Sequence, residues 1–341
     1  MYFCDCKAKG AKDREFVKTA LNPYHFHITS LTAQSEMNVQ AAAAQPPESV
    51  RVLLGEIIDY AGLFPPSQLS MQEAVLNYAT YRTSNYGWML GRFVVPVSRL
   101  AEFMDHAGDF VSRDGKSNWR LSVIAGEDIN QTIREVREFI RLFPTGVKID
   151  MLEVKAATAS KIENTVIAVP EGITTYFEIA PGASFVDLVT TLAMKRQRAK
   201  LRSGGVVAED FPKTREIIRF VRTCMAANVP YKATAGLHHP IRCYKPLTYA
   251  ENAPHGTMHG FLNVLLMTGF ARESYRVSLL EELMEEEFEE AFTFTDVGLK
   301  WREDHFMTNA HISLLRRRGM NSFGSCSFEE PIADLQSLGL L

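Results

Sequence analysis

The sequence predicts an α/β fold, a parallel (β/α)8 TIM-like barrel with an N-terminal helical extension, on three observations. Short apolar runs of strand length alternate with amphipathic stretches of helical spacing from about residue 50 onward. The unit recurs eight times over about 290 residues, the chain length such a barrel takes. Charged residues gather at the carboxyl ends of the runs, which is where a barrel places its chemistry. A doubly wound open sheet is the fold alternative, because the last two strands carry the weakest patterns.

Residues 1–48 stand apart. They hold MYFCDCKAKGAKDREF, NPYHFHITS and the Ala/Gln/Pro-rich NVQAAAAQPPES without a sustained period, and read as a mobile extension, with Met37 as an alternative start. His25 and His27 form an H-x-H there, which reads as a chance pair in a tail. Residues 49–341 are expected to be one barrel domain with a helical lead-in. LLGEIIDYAGLFPPSQLSMQEAVLNYATYR (53–82) reads as a helix, a Pro-Pro turn and a second helix capped by Ser70.

RFVVPV (92–97) is the expected first strand and SRLAEFMDHAGDFV its helix. RLSVIAG (120–126) is the second, followed by INQTIREVREFIRLF, whose Ile129, Ile133, Val136 and Ile140 fall on one helical stripe. GVKIDMLEVK, TTYFEIA, RAKLRSGG and PYKATAG supply strands three to six, with SFVDLVTTLAMKR and FPKTREIIRFVRTCMAANV as crossover helices. The acidic YRVSLLEELMEEEFEEAF is an extra surface helix, its leucines on one face and its glutamates in water. FTFTDVGL (292–299) and NSFGSCSF (321–328) complete the count, with DHFMTNAHISLLRRR and EEPIADLQSLGLL as their helices.

Composition narrows the function. With 46% hydrophobic and 23% charged residues and a net charge of -3, the 341-residue chain is globular and carries no global positive field. Nucleic acid and anionic membrane are therefore poor partners, and a small-molecule substrate is expected. The basic runs KRQR (195–198) and RRR (316–318) read as solvated helix faces. Five scattered cysteines make neither a disulfide framework nor a paired zinc signature, and no window reaches membrane-spanning length, so a cytoplasmic location is expected.

The predicted strand ends carry Glu153 and Lys155, Glu178, Lys200 and Arg202 before Ser203-Gly204-Gly205, and Lys232 and Thr234 before His238 and His239. A lone lysine at such a place is commonly an ion-paired or snorkelling side chain. Two on neighbouring strands point to imine chemistry, since a second cation lowers the amine pKa toward the neutral nucleophile. Lys232 is the expected nucleophile, Lys200 or Arg202 the perturbing cation, and Glu178 the proton shuttle. Arg202, Ser203, Gly204, Gly205, Thr234, His238 and His239 are the expected substrate-binding residues, with Gly204-Gly205 either an anion cradle or a turn needing positive φ. Cys326 is either a thiol at the mouth or a small buried residue.

The loop Leu237–Gly260 is long and histidine-rich, as functional loops are. His255 and His259, four apart at the start of an apolar run, are expected to share a helical face. With His238, His239 and Glu153 they form the ligand set of an alternative reading that uses a divalent metal; the leading reading uses no cofactor.

K-x-T-x-G around Lys232 resembles the Schiff-base strand of class I aldolases of the deoxyribose-phosphate aldolase type, and KLRSGG their second-lysine strand, although the two strands come in the opposite order there. D-Y-A-G-L-F-P-P (59–66), K-A-T-A-G-L-H-H-P (232–240) and F-G-S-C-S-F-E-E-P (323–331) resemble a group of uncharacterised bacterial proteins and imply a shared barrel without a reaction. The expectation is a barrel enzyme using lysine-assisted, aldolase-like C–C lyase chemistry on a small anionic carbonyl compound. The alternatives are a metal-dependent hydrolase or isomerase and a non-catalytic binding barrel.

Overall fold

The computed structural model describes residues 45–112 and 118–341; the expected extension with its His25 and His27 falls outside the described residues up to 44. The helices are α1 (Glu48–Leu54), α2 (Met71–Thr83), α3 (Leu100–Ala107), α4 (Ile129–Leu142), α5 (Ala159–Ala168), α6 (Phe185–Met194), α7 (Thr214–Ala226), α8 (Phe261–Arg272), α9 (Val277–Met284), α10 (Asn309–Arg318) and α11 (Glu329–Ser337). The first seven strands are β1 (Ile58–Tyr60), β2 (Leu90–Pro96), β3 (Trp119–Ile124), β4 (Val147–Lys155), β5 (Thr174–Glu178), β6 (Arg198–Arg202) and β7 (Tyr231–Thr234). A hairpin of β8 (Cys243–Pro246) and β9 (His255–Met258) follows, then an antiparallel sheet of β10 (Phe292–Phe294), β11 (Gly298–Trp301) and β12 (His305–Thr308). Finally β13 (Met320–Ser325) pairs in parallel with both β7 and β1 and closes an eight-stranded parallel barrel.

The barrel is the expected fold, but two of its parts are not those the pattern indicated. FTFTDVGL forms no barrel strand; Phe292–Phe294 pairs antiparallel with β11 outside the barrel. The missing strand is Ile58–Tyr60, inside the segment expected to be helical, so closure begins about thirty residues before RFVVPV. The helix there ends early: α1 stops at Leu54, Gly55 follows, and the apolar run Ile57-Ile58 continues as extended, buried chain. Ser70 does cap α2, its Oγ accepting from the Glu73 N–H while Glu73 accepts from the Ser70 N–H.

Helix α4 shows how the stripe settles. Ile129, Ile133 and Val136 are buried as expected, but Ile140 is 41% exposed and Phe139 takes its place beneath the helix. Phe139, one residue earlier and about 100° around the helix, carries a large ring whose burial removes much apolar surface from water. The acidic segment forms α9 only as far as Met284, with Leu280, Leu283 and Met284 buried. Among the described residues no helix is long and apolar enough to cross a membrane.

Alternation within the strands positions the site. On β6 Ala199 and Leu201 are buried against the helices, and on β7 Tyr231 and Ala233 are, which turns Arg198, Lys200 and Arg202, and Lys232 and Thr234, to the barrel interior. Lys200 and Lys232 sit opposite each other in the β6–β7 register. A register shift where β3 meets β4 brings consecutive residues inward: Asp150 meets Arg92 and Arg120, while Met151 Sδ lies 3.4 Å from Lys232 Nζ. The interior of this barrel is thus a stack of ion pairs where branched aliphatics usually fill the space. Closure is fastened from outside by Arg316, whose guanidinium donates to the carbonyls of Leu53, Gly55 and Asn321 at 2.6, 3.0 and 2.6 Å.

Candidate functional site

A cavity of about 800 Å³ opens at the carboxyl ends of the barrel strands. Its floor is Glu153, Glu178 and Lys200, its walls include Val94, Ile124, Thr234 and Gly324, and Lys155, Arg202 and His238 stand toward its mouth. Phe64, Pro65 and Pro66, from the loop after β1, cover one side. Among the expected substrate-binding residues, Arg202, Gly205, Thr234 and His238 line the cavity.

The lysine pair is the centre of the arrangement. Lys232 Nζ lies 2.6 Å from Asp59 Oδ2 and 2.6 Å from Glu153 Oε1, with side chains exposed by 1, 0 and 3% respectively. Ser322 Oγ donates to the same Asp59 oxygen at 2.7 Å, the Arg92 N–H donates to the other at 2.9 Å, and Ser122 Oγ donates to Glu153 at 2.6 Å. Lys200 Nζ bridges Glu153 Oε2 at 2.7 Å and Glu178 Oε2 at 2.9 Å. One glutamate therefore joins two ammonium groups, each of which has a second carboxylate of its own.

These contacts set the protonation states. Burial alone depresses the pKa of Lys232, but Asp59 and Glu153 outweigh it and hold the group above the ordinary lysine value. Lys200 behaves alike: burial works downward, Glu153 and Glu178 work upward, and the net shift is upward. Glu153 is the mirror case, its burial overcome by Lys200 and Lys232, so its carboxyl lies well below the usual range. Both lysines are ammonium ions at neutral pH.

The expected role of Lys232 is thereby corrected. Lys232 is absent from the cavity wall and sealed between two carboxylates, so a carbonyl group in the cavity has no path to its nitrogen. The expectation that a second cation would depress it fails because the carboxylates lie closer than any cation does. Lys200 is the lysine of the pair that reaches the cavity, while 6% exposed.

Three expected substrate contacts are also structural. Ser203 is buried; its Oγ donates to Ala235 O at 2.6 Å and its N–H to Thr234 O at 2.9 Å, fastening β6 to the turn after β7. Gly204 is a close-approach glycine, neither an anion cradle nor a positive-φ turn: a Cβ there would stand 2.8 Å from Gly236 Cα and 2.6 Å from the Phe211 ring. Gly205 lines the cavity, with Asp210 packed where a Cβ would point. His239 lies away from the cavity, bonded to Asp334 Oδ2 at 2.5 Å, and burial lowers its pKa.

The histidine loop does not assemble a metal centre. His255 is exposed on the β8–β9 hairpin, whereas His259 is buried with Nε2 2.8 Å from Pro212 O, so the expected shared helical face does not exist. His238 Nδ1 pairs with Glu330 Oε2 at 3.0 Å. Among the described residues no group of three or more His, Cys, Asp or Glu side chains is placed to hold a metal ion. Cys326 reaches the cavity wall nearly buried, and burial raises its pKa, which keeps the sulfur a thiol.

Asp59, Ser122 and Ser322, none of them among the expected site residues, complete the ion network. Asp59 had a readable signal: an apolar run closed by Gly62 and Pro65-Pro66 suits a short strand ending at a cavity better than a helix. Comparison with protein-family models and with curated proteins gives no match.

Proposed function

We propose that this chain is a barrel enzyme acting on a small anionic carbonyl compound, with Lys200 as an acid and electrophile rather than an imine-forming amine. The observation that carries the reading is Lys200 itself, a nearly buried ammonium on a cavity wall held between Glu153 and Glu178. A permanent ammonium in a site largely shielded from water polarises a carbonyl oxygen and stabilises the enolate that forms on it. Glu178, whose side chain is 17% exposed, is the carboxylate open enough to meet a substrate proton. Arg202 and Lys155 at the mouth favour an anionic substituent.

The chemistry is aldolase-like C–C cleavage. Glu178 takes the proton of a β-hydroxyl, the Cα–Cβ bond breaks, and its electron pair moves onto the carbonyl oxygen beside Lys200. Returning a proton to Cα completes the exchange. This assignment replaces the imine first expected on Lys232 with electrostatic stabilisation of the enolate by Lys200.

Exchange of the methyl protons of pyruvate in heavy water, followed by NMR, tests the enolisation half of the scheme. Wild type is expected to accelerate exchange, and Lys200→Met and Glu178→Gln each to reduce the acceleration by about a hundredfold, the usual worth of a positioned acid or base. Borohydride with pyruvate should leave no adduct. Exchange equal in wild type and both variants, or an adduct on Lys232, would overturn the assignment.

A further inference from the structure

The opposite end of the barrel holds a second cavity, of about 910 Å³, walled by the amino-terminal ends of the strands and the loops that enter them. Its lining differs sharply from the first. The basic runs KRQR and RRR, expected on solvated helix faces, supply Arg196, Arg198, Arg316, Arg317 and Arg318 to this one space, and Arg92 and Arg120 form its inner wall. Seven arginines thus face the cavity, while Glu56 is its one lining carboxylate.

The charges do not cancel. Arg92 and Arg120 are matched by Asp150 and Glu56, at distances from 2.5 to 2.8 Å. Arg316 spends its donors on backbone carbonyls. Arg198 opens β6 half-buried; its Nη1 donates to Tyr176 Oη at 2.9 Å, and its guanidinium lies 5.5 Å from the centre of that ring. Among the described residues no carboxylate lies within ion-pairing distance of Arg198, nor of Arg196, Arg317 or Arg318. A half-buried guanidinium without a counter-ion, aimed into a concave space beside three more, marks a place where an anion lowers the energy.

We infer that this cavity binds an oligophosphate, a chain of two or more linked phosphates, inorganic or carried by a nucleotide. Guanidinium forks match phosphate oxygens bidentately, and several unmatched cations in one concavity favour an anion of high charge over orthophosphate. The volume lies within the range of small-molecule sites. A barrel conducts its chemistry at the other end, so this is a binding site separate from the proposed reaction.

The test is calorimetric titration of the full chain at about 0.15 M salt with inorganic tripolyphosphate, ATP, orthophosphate and citrate. Tripolyphosphate is expected to bind saturably, about tenfold or more tighter than orthophosphate or citrate. Arg317→Gln with Arg318→Gln, both exposed and safe for folding, and separately Arg198→Gln, should each weaken binding about tenfold, while Arg215→Gln on the outer face of α7 should not. Tighter binding of ATP than of tripolyphosphate assigns the nucleotide source, and the reverse assigns the inorganic one. No saturable binding, equal binding of citrate, or affinity unchanged in both arginine variants would overturn the inference.

Discussion

Replacing Lys232 by methionine keeps an unbranched side chain one atom shorter and removes its charge. The change withdraws the partner of two carboxylates that the fold has already taken out of water. Asp59, fully buried, would keep the Ser322 hydroxyl and the Arg92 N–H; Glu153 would keep Lys200 and Ser122. Two charge-assisted bonds of 2.6 Å are lost, each worth about 1.5–3 kcal/mol. Their sum agrees with the about 3–5 kcal/mol expected when one partner of a buried pair is deleted. Taking about 4 kcal/mol and a urea dependence near 3 kcal/mol per molar, the unfolding midpoint should fall by roughly 1.3 M. Adding Asp59→Asn should recover part of the loss, because the stranded charge disappears with its partner. A midpoint shift below about 0.5 M, with activity abolished, would show that Lys232 serves the reaction and refute the structural assignment.

The same network predicts a pH window. Glu153 is pulled below its ordinary value, so its contribution is complete above an unfolded carboxyl pKa of about 4.3 and is lost as acid protonates it. Lys232 is raised, so its contribution is complete below an unfolded lysine pKa of about 10.4 and is lost as alkali removes its proton; urea midpoints should plateau between those limits and fall outside them. Gly204→Ala should destabilise by about 1–3 kcal/mol in urea unfolding, since the new methyl meets the Gly236 backbone; an unchanged midpoint would mean the β6 and β7 turns part easily. Ala235 adopts φ of +62°, so Ala235→Gly should raise stability by up to about 1 kcal/mol, and a loss instead would show that its methyl packs usefully.

Barrel and site were legible to different degrees, for physical reasons. Strands β2 and β3 announce themselves as short apolar runs such as RFVVPV, and β4, β6 and β7 as apolar residues alternating with charged ones. Strand β1 does not, because three residues carry no period of their own, and the preceding helix shares the same apolar content. FTFTDVGL has the β-branched and aromatic content of a strand, and pattern alone does not say which sheet it joins. Glu153, Glu178, Lys200 and Lys232 were readable as strand-end charges. Which lysine meets the cavity was not, because that depends on Asp59, whose partner is 173 residues away in the chain.

That separation bears on how the barrel is made in time. Asp59 finds Lys232 across 173 residues and Ser322 across 263, and β1 gains its second neighbour only when β13 has emerged from the ribosome. Until then β1 and β7 present open edges, and the inward-facing charges of the half-ring remain in water, where their mutual attraction is weak. Seven strands therefore form no miniature of the finished molecule. Loop closure over such spans slows folding, and the two open strand edges persist on the nascent chain until its closing strand arrives.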